Sequence, residues 1–325
     1  MTRVAIVGCG LIGGKRADAL PNGALAVVCD VDAGRAASLA RVHGAAASDD
    51  WRATVARDDV DAVIVATTHD QLPLVARAAA AHGKHVLIEK PGARRAHELD
   101  EVARIAHERS LVVRVGFNHR FHPALQKARA LVDAGAIGTP QIVRARYGHG
   151  GRPGYDREWR AQAALSGGGE AIDQGMHLVD LAGWFLGEFT DVRGTTATYF
   201  WDMPVEDNVF MLLRTAGGAT AQLHASWTEW KNLFSFELSG RDGKIEIAGL
   251  GGSYGTERVT YYKMLPEMGP PETTAWEYPM ADASWRDETA SWLADIAAGR
   301  TSGAGIADAQ RALSVVERVY AEQAQ

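Results

Sequence analysis

The chain of 325 residues has only two cysteines, Cys9 and Cys29, too few for a disulfide framework. One falls at a turn position and the other ends an apolar run, so both read as small apolar fillers. No run of about 18 apolar residues is present, which excludes an ordinary membrane-spanning helix. A net charge of −6 leaves no basic footprint for nucleic acid or an anionic membrane. Internal repeats and low-complexity tracts are also lacking. The first apolar run starts at about Arg3, which leaves a signal peptide no room. These absences lead us to expect a cytoplasmic protein with no nucleic-acid or membrane partner. What is present, 46% hydrophobic and 23% charged residues, suits one large globular domain or two ordinary ones.

The most informative stretch is the first. Val4-Ala-Ile-Val7 runs into Gly8-Cys-Gly10-Leu11-Ile12-Gly13, an amphipathic pattern continues to about Leu20, and a second apolar run, Leu25–Cys29, ends in Asp30. This is strand, tight turn, helix, strand, acid. Gly8 permits the turn, Gly10 lets the backbone approach a pyrophosphate, and Gly13 lets helix pack close to strand. The helix start at Leu11 and Ile12 offers N–H groups and a positive dipole end to phosphates. Asp30, 20 residues after Gly10, is placed to accept from both ribose hydroxyls. It favours NAD over NADP, because a carboxylate repels a 2′-phosphate; Arg35 is the nearby cation that would soften this. The alternative for Asp30 is a strand-end turn former.

Strand–helix alternation continues to about residue 121. Apolar runs at Ala62–Ala66, His85–Ile88 and Leu111–Val115 are separated by helical patterns at Ala33–Val42, Gln71–His82 and Ala96–Glu108. The pattern predicts a parallel sheet with helices on both faces. Beyond it, Pro123–Ala134 reads as a helix. About seven period-2 segments follow (Gln141–Tyr147, Val192–Phe200, Asn208–Thr215, Ala219–Trp227, Phe234–Ser239, Gly243–Ala248, Val259–Met264) and predict a mainly antiparallel sheet. One helix, Glu170–Leu186, interrupts them, and two, Trp285–Ala298 and Ile306–Ala321, close the chain. Leu265–Met280 reads as a long Pro-rich loop. The expected fold is α/β: a Rossmann domain over 1–121, then an α+β domain with an open sheet over 122–325.

Two further constellations carry chemistry. Ile88-Glu89-Lys90-Pro91 lies at the carboxyl end of a parallel strand, where ligands of open sheets bind; the alternative for Lys90 is a solvated lysine. Ser166-Gly-Gly-Gly-Glu170 leads into Asp173 and His177, i and i+4 on one helical face. The three glycines suit close approach by a ligand, and a histidine beside a carboxylate suits proton transfer. A helix-stabilising Asp–His pair is the plainer alternative. A metal role lacks a third ligand at suggestive spacing, so no metal is expected. In Tyr147–Arg160, Trp159 or Tyr155 would stack on a sugar face and Arg152 would bind an anionic group. Alternatively, Arg157 and Arg160 pair with Asp156 and Glu158 on a solvated turn.

Gly8-Cys-Gly-Leu-Ile-Gly13, Ala66-Thr67, Glu89-Lys90-Pro91, Gly116-Phe-Asn118 and Gly167-Gly-Gly-x-x-x-Asp173-x-Gly-x-His177 stand in the order found in the glucose–fructose oxidoreductase / inositol dehydrogenase / rhizopine-catabolism (Gfo/Idh/MocA) family, which the chain resembles over most of its length. The resemblance implies NAD-linked oxidation or reduction of a hydroxyl of a sugar, nucleotide sugar or cyclitol. By motif it implies that Lys90 orients the reacting hydroxyl, Asp173 binds substrate and His177 transfers the proton. It places Thr67 and Glu89 at cofactor-contacting positions and Asn118 among substrate-binding ones. Thr67-Thr-His69 departs from a frequent Pro-Asn pair, and Gly92 replaces a larger apolar residue. Rival readings are an NAD-assisted glycoside hydrolase and a non-catalytic NAD-sensing regulator. Few helices are available to cover the second sheet, so Trp227, Trp230 and Phe234 are expected on an open face that closes in a homodimer or homotetramer, unless the Leu265–Met280 loop covers it.

Overall fold

The computed structural model describes residues 1–323. Short β-branched runs form strands and the stretches between them form helices. In chain order these are β1 (Val4–Val7), α1 (Leu11–Asp18), β2 (Leu25–Cys29), α2 (Ala33–His43), β3 (Ala46–Ser48), α3 (Trp51–Val55), β4 (Ala62–Val65), α4 (Leu72–Ala81), β5 (His85–Glu89), α5 (Asp100–Glu108) and β6 (Val113–Gly116). The strands pair in the order β3-β2-β1-β4-β5-β6, all parallel. Their order reverses between β1 and β4, so the turn after β1 sits at the topological switch point, where sheets of this kind bind ligands. The expected Rossmann sheet is present, with β3 as an addition. Ala46 and Ala47 are exposed, so β3 has no hydrophobic pattern to announce it.

Next come α6 (Pro123–Asp133), β7 (Pro140–Gly148), α7 (Ala163–Ser166), α8 (Glu170–Asp173), α9 (Gly175–Leu186), β8 (Phe189–Ala197), β9 (Asn208–Thr215), β10 (Thr220–Ser226), β11 (Leu233–Gly240), β12 (Gly243–Ala248), β13 (Glu257–Lys263) and β14 (Glu272–Tyr278). These eight strands form one sheet in the order β14-β13-β12-β11-β7-β10-β9-β8, antiparallel except where β7 runs parallel to β10. Helix α9 packs on β7 and β10. The chain closes with α10 (Ser284–Ala298) and α11 (Ile306–Gln323). No described helix is long and apolar enough to cross a membrane.

Four expectations are corrected here. The chain forms two compact units, but they are discontinuous: Met1–Phe117 with Trp285–Gln310, and Asn118–Ser284 with the chain from Arg311. The first unit takes back α10 because Trp292, fully buried, completes a core with Ile6, Ile64 and Leu87; a parallel sheet needs cover on both faces. The Leu265–Met280 segment is not all loop, since it contains β14 at the sheet edge. The helix expected over Glu170–Leu186 divides at Gln174 into α8 and α9. Finally, Trp227 (0% exposed) and Phe234 (2%) lie inside the second unit, and of the three aromatics only Trp230 is exposed.

Candidate active site

The turn after β1 is built as its glycines require. Gly8 has φ 100°, and a Cβ there would strike the carbonyl of Ala66. At Gly13 a Cβ would strike the Gly8 carbonyl, so helix and strand meet backbone to backbone. Gly10 differs: an added Cβ meets nothing within 4 Å. It borders open space at the start of α1, a helix end with no side-chain cap. Leu11 is exposed and Ile12 partly so. Uncapped N–H groups at a helix start beside open space fit a pyrophosphate.

Asp30 stands at the edge of this turn. Its carboxylate accepts from the Cys9 N–H at 2.7 Å and the Asp32 N–H at 2.9 Å, which fixes its position at the end of β2. Asp32 caps α2 by accepting from the N–H groups of Gly34 and Arg35. The Arg35 guanidinium lies 3.4 Å from Asp32, so this cation is engaged by the neighbouring acid. Burial, and then the charge of Asp30, pushes the Cys9 thiol up to about 12, so it stays protonated. Both cysteines are free.

Glu89, Lys90 and Pro91 leave the end of β5, with a cis Lys90–Pro91 peptide. Glu89 is buried, and its carboxylate accepts from Arg16 Nε at 2.5 Å. Nothing in the spacing of Arg16 and Glu89 announces this partner. Arg16 lies on the inner side of α1, fully buried, with Glu288 of α10 at 2.7 Å on its other side and the Trp285 ring 4.7 Å away. Glu89 therefore locks the strand end that carries Lys90 to α1. Thr67 is half-buried, with its hydroxyl on the Thr68 carbonyl at 3.2 Å.

In the second unit Asp173 and His177 are both buried, at 7% and 5% exposure. Asp173 ends α8, and Arg160 Nε lies 3.2 Å from its carboxylate. The solvated-turn reading of Arg160 is thereby corrected: it is paired chiefly into the buried acid, with Glu158 at a longer 3.9 Å. His177 lies flat against His119, ring centroids 3.6 Å apart and planes 30° apart, with Tyr147 at 6.2 Å. Burial raises the phenols of Tyr147 and Tyr254, so both are neutral donors near this pair; Gln174 Nε2 donates to the Tyr254 hydroxyl at 3.3 Å.

Two of the three glycines before α8, Gly168 and Gly169, face the chain itself rather than open space. A Cβ on Gly168 would enter the Tyr320 ring, and one on Gly169 would strike the Glu206 backbone. The Glu206 carboxylate accepts from Gly169 N, Ala171 N and the Tyr320 hydroxyl at 3.1, 3.0 and 2.7 Å. The close approach is internal, and Glu206, which sequence reasoning missed, is what aims α8 and Asp173.

The remaining substrate-binding candidates separate. Asn118 is buried and committed, donating to Ser284 Oγ at 2.9 Å with Oδ1 3.3 Å from His119 Nδ1. Tyr155 is 3% exposed. Its ring packs on Trp227 and Trp201 at 4.9 and 5.8 Å, which corrects its reading as a sugar-stacking face. Arg152 is exposed and paired with Glu158 at 2.6 Å. Trp159 is half-buried with Arg160 4.5 Å over its ring. Among the described residues, no group of three or more His, Cys, Asp or Glu is arranged to hold a metal ion.

Residues 2–117 match the family model described as oxidoreductase family, NAD-binding Rossmann fold, and residues 125–246 match the GFO/IDH/MocA C-terminal domain. A dTDP-3,4-didehydro-2,6-dideoxy-alpha-D-glucose 3-reductase from Streptomyces violaceoruber is 32% identical over 260 residues, covering 75% of this chain and 72% of that protein. Levoglucosan dehydrogenase from Pseudarthrobacter phenanthrenivorans is 29% identical over 247 residues, 67% of this chain. The match spans 63% of that relative, under two thirds of its length. The solved structure of levoglucosan dehydrogenase with NADH and L-sorbose gives a TM-score of 0.88 at 23% identity, covering 99% of this chain and 96% of that one; at that identity the likeness is one of fold.

Proposed function

Since this chain belongs to the Gfo/Idh/MocA family of oxidoreductases, we propose that it is an NAD-dependent dehydrogenase or reductase acting on a hydroxyl of a sugar, nucleotide sugar or cyclitol. The observation that carries the reading is the turn at Gly8–Gly13, open at Gly10 and edged by the fixed carboxylate of Asp30. Asp30 would take the ribose hydroxyls and the α1 start the pyrophosphate, with Thr67 near the nicotinamide end. NAD, when bound, supplies the hydride acceptor and, reduced, the donor.

The chain's own residues supply the proton chemistry. In oxidation the hydroxyl proton passes to the His177 imidazole; in reduction the imidazolium returns it. The Lys90 ammonium stabilises the negative charge that grows on the oxygen. Asp173, held by Arg160, accepts from a neighbouring substrate hydroxyl. Trp159 offers a ring face and Arg152 a guanidinium to the rest of the substrate. The test is NADH absorbance with a panel of sugars, cyclitols and nucleotide sugars, on wild type, Lys90→Ala and His177→Ala. Each variant is expected to lose a factor on the order of 10² in turnover with NAD binding intact. No turnover on any panel member would overturn the reading.

We also propose that the protein works in the cytoplasm and as a homo-oligomer through the second unit's sheet. The face turned away from α9 presents Phe210 and Leu212, 38% and 53% exposed. They border a hollow of about 650 Å³ with Arg144, Arg146, His224 and Glu237. Apolar area flanked by charges of both signs suits a self-complementary contact.

A further inference from the structure

We infer that His119 is a positioning residue that keeps His177 in its neutral, proton-accepting form, because the two stacked imidazoles hold at most one proton between them. The inference rests on the reading of His177 as the proton-transfer group.

Both rings are out of water, at 5% exposure each, and in face-to-face contact. Two positive charges at that separation and in that medium repel strongly. The pair therefore titrates as a unit, and a proton carried by His119 disfavours one on His177.

The geometry of His119 is set from both sides. The Ser284 hydroxyl donates to the Asp282 carboxyl at 2.6 Å. Ser284 Oγ in turn accepts from Asn118 Nδ2 at 2.9 Å. That leaves Asn118 Oδ1 facing His119 Nδ1 at 3.3 Å, which puts a hydrogen on Nδ1. Arg120, the next residue, donates twice to Asp180 at 2.8 and 2.5 Å. Asp180 lies one helical turn beyond His177 on α9, so this ion pair docks the segment carrying His119 onto the helix carrying His177.

Other titratable groups surround the stack. On the His177 side are Asp173 with Arg160, and the Tyr147 phenol, which Asp173 and Glu170 help burial to raise. Tyr254 lies 5.1 Å from Tyr147. On the His119 side is His122, edge-on at 5.4 Å, with its Nδ1 2.7 Å from Glu257 and its Nε2 4.0 Å from Asp282. His119 is the ring stacked on His177.

The test uses the full chain with isotope-labelled histidine, following His177 by NMR from pH 5 to 9, with a parallel pH profile of kcat/KM for oxidation. His119→Phe keeps a flat ring on His177 but removes its titration. The His177 midpoint is expected to rise by about one pH unit, and the acid limb of kcat/KM to rise with it. An unchanged His177 midpoint overturns the inference. A moved midpoint with an unmoved kcat/KM profile overturns instead the assignment of His177 as the proton-transfer group, and with it the catalytic role of His119. Thermal unfolding followed by circular dichroism reports folding. Should His119→Phe fail it, His119→Asn, which keeps a donor toward Asn118, must give the same rise.

Discussion

The Arg16 guanidinium sits between the carboxylates of Glu89 and Glu288, at 2.5 and 2.7 Å, with all three side chains buried. Two acids on one base leave a surplus negative charge out of water, and the surplus has a consequence for pH.

Burial pushes the Glu288 carboxyl up from 4.5 to about 7, against the pull of Arg16. Between those values the folded form holds the proton and the unfolded form has lost it. The stability from this group is therefore complete below about pH 4.5 and is lost as pH rises through about 7. The full swing is about 3 kcal/mol. Urea unfolding at pH 5 and pH 8 should show wild type losing stability relative to Glu288→Gln, which lacks the titration. Equal pH slopes in the two proteins would contradict this.

The proposed role of Asp30 at the ribose hydroxyls sets an expectation for cofactor choice. NAD should bind more tightly than NADP, and Asp30→Ala should weaken NAD by about ten- to a hundredfold, the worth of charge-assisted hydrogen bonds, while changing NADP less. Fluorescence titration of both dinucleotides measures it; tighter NADP binding by wild type would sink it.

Gly169→Ala should destabilise the second unit by about 1–3 kcal/mol, because its Cβ meets the Glu206 backbone. It should also lower turnover, since α8 and Asp173 follow directly. Thermal unfolding and steady-state rates read the two effects. A variant with wild-type stability would show that the loop adapts.

Leu212→Glu places a carboxylate on the open sheet face. Size-exclusion chromatography with light scattering should give a multiple of the chain mass for wild type and a smaller species for the variant. A monomeric wild type at micromolar concentration would end the proposal of a homo-oligomer.

Most of the first sheet was legible because its signals are local. Gly8, Gly10 and Gly13 fall within six residues of one turn, and β1, β2, β4 and β5 are short, almost wholly buried runs. The second unit's strands were legible through alternation; β9 and β12 match the expected bounds. β14 was not, because it is an edge strand whose residues are largely exposed, so burial imposes no pattern on it. The sequence located Asp173 and His177 but not what holds them. Arg160, Glu206 and His119 act across 13 residues, 37 residues and a ring stack between separate elements. Distances of that kind leave no periodic trace. Trp227 and Phe234 were misassigned for a related reason: period 2 tells two faces apart but does not say which one a helix will cover.

Trp292 reaches the core of the first sheet from far along the chain, well beyond that sheet's last strand, which ends at Gly116. On a ribosome the nucleotide-binding strands emerge early, yet their packing stays incomplete until α10 has been made. The first unit thus cannot be excised by cutting the chain once. Its apolar surface must wait, partly uncovered, through the synthesis of an eight-stranded sheet, an interval in which nascent chains are open to aggregation.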